Sequence, residues 1–159
     1  MKRITYFAMC LCTMLLVLAS CSKSSNSNSS SSDNPLVGKW QQEVDKAGVQ
    51  ATVTYDFKSD GTLTQTSVMN SESPYMAIEG EGTCDYTFND NTITFTISAE
   101  NYNFTKYEVE GIPEEQIELA MEQQKSQMTG IEQSLTDVVI DGDILTANFN
   151  GQEITLKRI

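Results

Sequence analysis

From Val49 the chain alternates without a break, with Val49, Ala51, Val53, Tyr55 and Phe57 at one set of positions and Gln50, Thr52, Thr54, Asp56 and Lys58 at the other. A period of two marks a strand with one buried face, since successive side chains leave a strand on opposite sides. The pattern returns over 92–99, where Ile93, Phe95, Ile97 and Ala99 alternate with Thr92, Thr94, Thr96 and Ser98. Between such runs stand Asp60-Gly61, Asn89-Asp90-Asn91, Asp141-Gly142 and Asn150-Gly151, residues that tolerate the positive φ of tight hairpins. Neighbouring strands are therefore expected to be antiparallel, near 38–46, 49–58, 61–69, 77–88, 91–99, 102–110, 136–141, 143–149 and 151–158. Eight or nine short strands in a meander leave raw edges unless the sheet closes or stacks, so a barrel or a sandwich follows.

One stretch breaks this rhythm. Pro113-Glu114-Glu115 suits a first helical turn, where a missing N–H costs nothing and carboxylates face the positive end of the dipole. Beyond it Ile117, Met121, Met128, Ile131 and Leu135 fall on one stripe, which predicts an inserted amphipathic helix near 113–134, weakened at Gly130. It is read as a packing element on the sheet or at a barrel end. A movable lid and a helix that grips a partner are the alternatives.

The N-terminus reads as an address. Lys2 and Arg3 precede an apolar run from Tyr6 to Ala19, the layout of an export signal and too short for a membrane span. Leu18-Ala19-Ser20-Cys21 resembles the lipobox of bacterial lipoproteins. That resemblance implies a signal peptide over 1–20, acylation (palmitate-type chains) on Cys21, and a tether to the membrane of the cell envelope. Ser22, after the cysteine, resembles sorting to the outer membrane of Gram-negative bacteria, with the periplasmic or surface face open. Residues 21–35 are rich in Ser and Asn and hold too little apolar surface to fold, so they form a flexible linker to one domain over 36–159.

Composition narrows the chemistry. Twenty-two acidic residues against ten basic ones give a formal net charge of −12, and loss of Lys2 and Arg3 with the signal makes it more negative. Nucleic-acid binding is disfavoured because phosphates demand clustered cations. The chain has no histidine, which removes Ser-His-Asp and Cys-His catalysis and His-ligated metals. Cys84 would be the one thiol of the processed chain without a lipid, and is read as a small buried residue. Glu79 with Glu81, Glu108 with Glu110, and Asp141 with Asp143 share faces at a spacing of two. They are read as solvated strand faces and a hairpin turn rather than as acid–base pairs or a calcium site. No EF-hand, phosphate loop or nucleophile elbow occurs, so no catalytic residue, metal or cofactor is expected.

The first strand reads Leu36-Val37-Gly38-Lys39-Trp40, which resembles the Gly-x-Trp opening of lipocalins. The series Phe57-Lys58-Ser59-Asp60-Gly61-Thr62-Leu63, Gly82-Thr83-Cys84-Asp85-Tyr86, Asn91-Thr92-Ile93-Thr94-Phe95, Leu145 and Leu156-Lys157-Arg158 extends the resemblance to the short lipocalin-like domains of secreted bacterial lipoproteins. It implies an all-β, antiparallel up-and-down barrel in which Gly38, Trp40 and Arg158 form one end, the guanidinium stacking on the indole. A helix between two strands departs from that family, whose helix follows the last barrel strand. Tyr55, Phe57, Tyr86, Phe88 and Phe95 are the candidates to line the interior, either filling it or contacting a ligand. The expectation is a non-enzymatic protein that binds a small apolar or amphipathic molecule; the alternative is an accessory subunit with a solid barrel that docks on another envelope protein.

Overall fold

In a computed structural model of the chain, residues 34–159 are described. The expected signal peptide, Cys21 and nearly all of the linker lie outside them. The strands are β1 (Gly38–Lys46), β2 (Val49–Phe57), β3 (Thr62–Glu72), β4 (Tyr75–Asn89), β5 (Thr92–Phe95), β6 (Tyr102–Val109), β7 (Gln133–Asp141), β8 (Ile144–Phe149) and β9 (Gln152–Arg158). A short 3-10 turn, Ala99–Asn101, precedes β6, and one helix, α1 (Glu114–Met128), precedes β7.

Each pairing is antiparallel, and the order β3-β2-β1-β9-β8-β7-β5-β4 closes on itself through the β3–β4 ladder. The result is an eight-stranded closed barrel with β6 as a ninth, external strand. Long β4 holds β3 along one edge, while its other edge is shared, Met76–Gly82 with β6 and Tyr86–Asn89 with β5. Between them Cys84 and Asp85 sit in a fork that neither strand fills.

The alternation places its apolar set inward as expected. Trp40, Tyr55, Phe57, Leu63, Tyr86, Ile93, Phe95, Leu135, Leu145 and Leu156 form one buried core with Leu36 and Tyr102. Three departures from the sequence expectation have local causes. The helix stops at Met128, because the Thr129 hydroxyl and N–H both close on the Lys125 carbonyl and Gly130 then turns to positive φ, donating its N–H to Ile97 O. Leu135 thus lies in β7, not on the helical stripe, and Ile131 is exposed. Strand β5 ends at Phe95 rather than continuing to residue 99, and Ile97 packs over Gly82 instead. The β3–β4 hairpin runs longer than expected, to a tight turn at Ser73-Pro74.

Candidate functional site

At one pole the barrel is sealed. Trp40 is fully buried and its indole N–H donates to Leu36 O at 2.7 Å. The Arg158 guanidinium lies 4.1 Å from the centre of the indole ring, within the range of a cation–π contact. Its two terminal nitrogens donate to Val37 O at 2.9 Å and Pro35 O at 2.8 Å, and Asp143 stands 3.6 Å from Nε. Gly38, at φ +131, is where that arginine crosses the backbone: a Cβ there would meet Arg158 Nη1 at 2.6 Å. The structure therefore brings Gly38, Trp40 and Arg158 into one contact, whose evident work is to pin the incoming segment over the barrel end.

Of the five interior candidates, four fill the core next to this pole. Tyr55 stacks on Phe57, meets Phe95 edge-on from across the barrel at 6.1 Å, and Phe57 meets Tyr86 at 5.0 Å. The Tyr86 hydroxyl donates to Lys58 O and accepts from Asn34 Nδ2. Phe88 is half-buried at the margin. Phe95 also borders the cleft at the β5–β6 fork, and Val53, the next inward position along β2 from Tyr55, packs against the same core.

The opposite pole is built differently. β1 pairs with β9 only at Trp40–Arg158 and Gln41–Lys157, then parts from it, while β2 stays with β1, β3 with β2 and β4 with β3 to the far end. The inward positions beyond the core, Gln42 and Val44 on β1, Ala51 and Val53 on β2, and Ser67 and Met69 on β3, are half-buried. They lead down to Tyr55 and Gln65, which face each other across the β2–β3 ladder. One buried polar atom at this level lacks a partner. Gln65 Oε1 is buried with no hydrogen-bond partner among the described residues, and Tyr55 is only 6% exposed, with burial pushing its hydroxyl up to about 12. Tyr102 closes one side, its hydroxyl 3.3 Å from Ser67 Oγ. Gly80 and Gly82 make room for that ring: a Cβ on Gly82 would meet Tyr102 Cδ2 at 2.9 Å, and one on Gly80 would collide with the Tyr102 hydroxyl. Two glycines two apart inside a strand pattern were the sequence signal for this close approach.

The acidic pairs are structural. Glu108 Oε2 accepts from the Tyr75 hydroxyl at 2.7 Å and Glu110 Oε2 accepts from Tyr75 N–H at 2.9 Å, so the pair clasps the β3–β4 hairpin to β6. The tyrosine hydrogen bond also holds the Glu108 carboxyl below the usual range. Gly142 makes the Asp141-Gly142-Asp143 turn at positive φ. Glu79 and Glu81 lie opposite Lys106 and Asn103. In the β5–β6 fork a shallow polar cleft of about 410 Å3 is lined by Cys84, Asp85, Thr94, Phe95, Thr96, Ser98, Asn101 and Glu132, so that of the five interior candidates Phe95 borders it. Cys84 is half-buried there and burial pushes its thiol up, away from the reactive thiolate.

Fold and geometry together define a small closed β-barrel domain with one pole sealed by Trp40 and Arg158 and an opposite pole where β1 and β9 part. No protein-family model matches the chain, and no curated protein matches it.

Proposed function

We propose that this protein is a lipid-anchored, lipocalin-like binding protein of the bacterial cell envelope, non-enzymatic, that holds a small apolar or amphipathic molecule in the open mouth of its barrel. The observation that carries the reading is the parting of β1 from β9, which leaves Val44, Ala51, Val53 and Met69 half-buried above a floor of Tyr55 and Gln65. A closed barrel of eight strands has room for one such ligand where side chains do not fill it. The lipobox-like Leu18-Ala19-Ser20-Cys21 supports the anchor, and Gly38, Trp40 and Arg158 support the lipocalin likeness through a contact that fixes the barrel end. Native mass spectrometry of the protein purified from its own host tests the binding: a co-purifying small molecule is expected, and a bare polypeptide mass counts against it.

A second reading, an accessory subunit that docks on another envelope protein, draws on α1. Leu119 is 58% exposed, Ile131 just beyond is 57% exposed, and no residue of the helix is buried. Crosslinking in the host envelope through α1 should then retrieve one dominant partner, and recovery of abundant bystanders alone removes this reading.

A further inference from the structure

In an antiparallel ladder successive residues turn their N–H and C=O groups to alternate neighbours. The Ile159 N–H donates to Lys39 O, and Trp40 and Gln41 stand opposite Arg158 and Lys157, so the odd-numbered residues of β1 bond toward β9 and the even-numbered ones toward β2. Beyond Gln41 that outer edge is bare. No strand pairs with Glu43 or Asp45 on this side, and among the described residues no turn or loop bond reaches their N–H and C=O groups. The facing edge of β9 is bare from Gln152 to Leu156. Charge opposes closure of this seam. Continued in register, the ladder would set Val44 beside Ile154 but Asp45 directly opposite Glu153, both exposed, with the exposed Glu43 next to them on the same outer face. Like charges directly opposite destabilise a strand pair.

We propose that the bare edge of β1, over Gln42–Lys46, receives an extended segment of a partner protein in which basic and apolar residues alternate, added to the sheet as a further strand. The N–H and C=O groups of Glu43 and Asp45 supply its backbone hydrogen bonds, and the side chains along the edge select its sequence. Residues set opposite Glu43 and Asp45 share the outer face with them, and with Glu153 across the seam, which calls for lysine or arginine. The residue between them lies opposite half-buried Val44 on the inner face, on the side of Ile154, which packs against the core, so it is apolar. A second copy of this chain does not fit. Pairing two β1 edges about a two-fold axis, bare groups to bare groups, sets Glu43 against Glu43, Glu43 against Asp45, or Asp45 against Asp45. The Ser/Asn-rich linker does not fit either, since residues 22–33 carry one cation, Lys23. Charge on an exposed strand edge turns other edges away. Here Glu43, Asp45 and Glu153 are of one sign, so they turn away acidic strands and admit a basic one. The proposal concerns a partner surface and does not depend on the small-molecule reading.

The test is fluorescence anisotropy of a dye-labelled short peptide of alternating lysine and valine, titrated with the full chain at neutral pH. Saturable binding is expected. The same peptide N-methylated at its lysine amides keeps every charge but loses the donors that face β1, and should bind about tenfold more weakly or worse, the factor that one to two hydrogen bonds supply. Glu43→Lys combined with Asp45→Lys should weaken the unmethylated peptide by a similar factor. Glu118→Lys combined with Glu122→Lys makes the same change of net charge on exposed positions of α1 and should leave binding within about twofold. Bound peptide should also slow hydrogen exchange at the Glu43 and Asp45 amides of the parent, a measurement that decides the matter should the β1 variant fail to fold. Equal binding of the methylated peptide, or equal loss in the two double variants, would show attraction by net charge alone and overturn the proposal. No binding, or protection confined to strands other than β1, overturns it as well, and none of these outcomes bears on the small-molecule reading.

Discussion

Trp40 concentrates more of the structure than any other side chain: a buried indole, a hydrogen bond to Leu36 O, an arginine on its face. Trp40→Ala should cost about 3 to 5 kcal/mol in a urea melt followed by circular dichroism; a loss under about 1 kcal/mol would show that the ring is not buried as described. Arg158→Lys should cost about 1 to 2 kcal/mol, because an ammonium cannot span Pro35 O and Val37 O as the planar fork does. Tyr55 has the opposite character. Its unpartnered hydroxyl makes Tyr55→Phe neutral or stabilising by up to about 1 kcal/mol at neutral pH in the free protein. Its raised pKa sets a sign as well. An unfolded tyrosine loses its proton near 10 and the folded one at about 12, so the folded state binds the extra proton between them. Stability is full below pH 10 and falls as the pH climbs to 12, by about 2 to 3 kcal/mol from this group. Urea melts across that window should show a shallower fall in Tyr55→Phe than in the parent.

At the scale of elements, β6 depends on what β4 omits. Gly80 and Gly82 leave the hollow that Tyr102 occupies, and Tyr102 anchors the one strand that the barrel does not enclose. Gly80→Ala, whose Cβ would meet Tyr102 alone, should cost about 1 to 3 kcal/mol through the shifted ring, and hydrogen exchange should quicken in Asn103–Val109 more than in β1 or β2. The same contrast explains what could be read from the sequence. Strands such as Val49–Phe57 announce themselves because period two is local, and hairpin residues at Gly61 and Gly142 mark their ends. Which strands close the ring is not local: nothing in Tyr102–Val109 distinguishes an external strand from a barrel strand until β4 is seen to serve β3, β5 and β6 at once. The helix was legible in its start, from Pro113 and two glutamates. Its end was not, because Ile131 and Leu135 continue the apolar spacing although a backbone bond from Gly130 to Ile97 has already redirected the chain. The mouth was illegible for the same reason, since it arises from where β1 leaves β9, a matter of register between chain ends far apart in sequence.

For the whole molecule, location and orientation are the open quantities. If residues 18–21 act as the proposed lipobox, Cys21→Ser should shift the protein from the membrane pellet to the soluble fraction of lysed host cells; retention in the pellet would remove the acyl anchor. Its acidic surface, −12 overall, should leave that fractionation insensitive to moderate salt, as electrostatic adsorption to anionic lipid would not be. The strap of Asn34–Val37 enters the domain beside Tyr86 and Arg158, against the shut pole, whereas the lip of the cup lies at the Lys46–Val49 turn, nine residues along β1. At about 3.3 Å per residue that is roughly 30 Å away. If the proposed anchor holds, the point of attachment lies at the Trp40 pole, and the Lys46–Val49 turn is the end of the barrel farther from it.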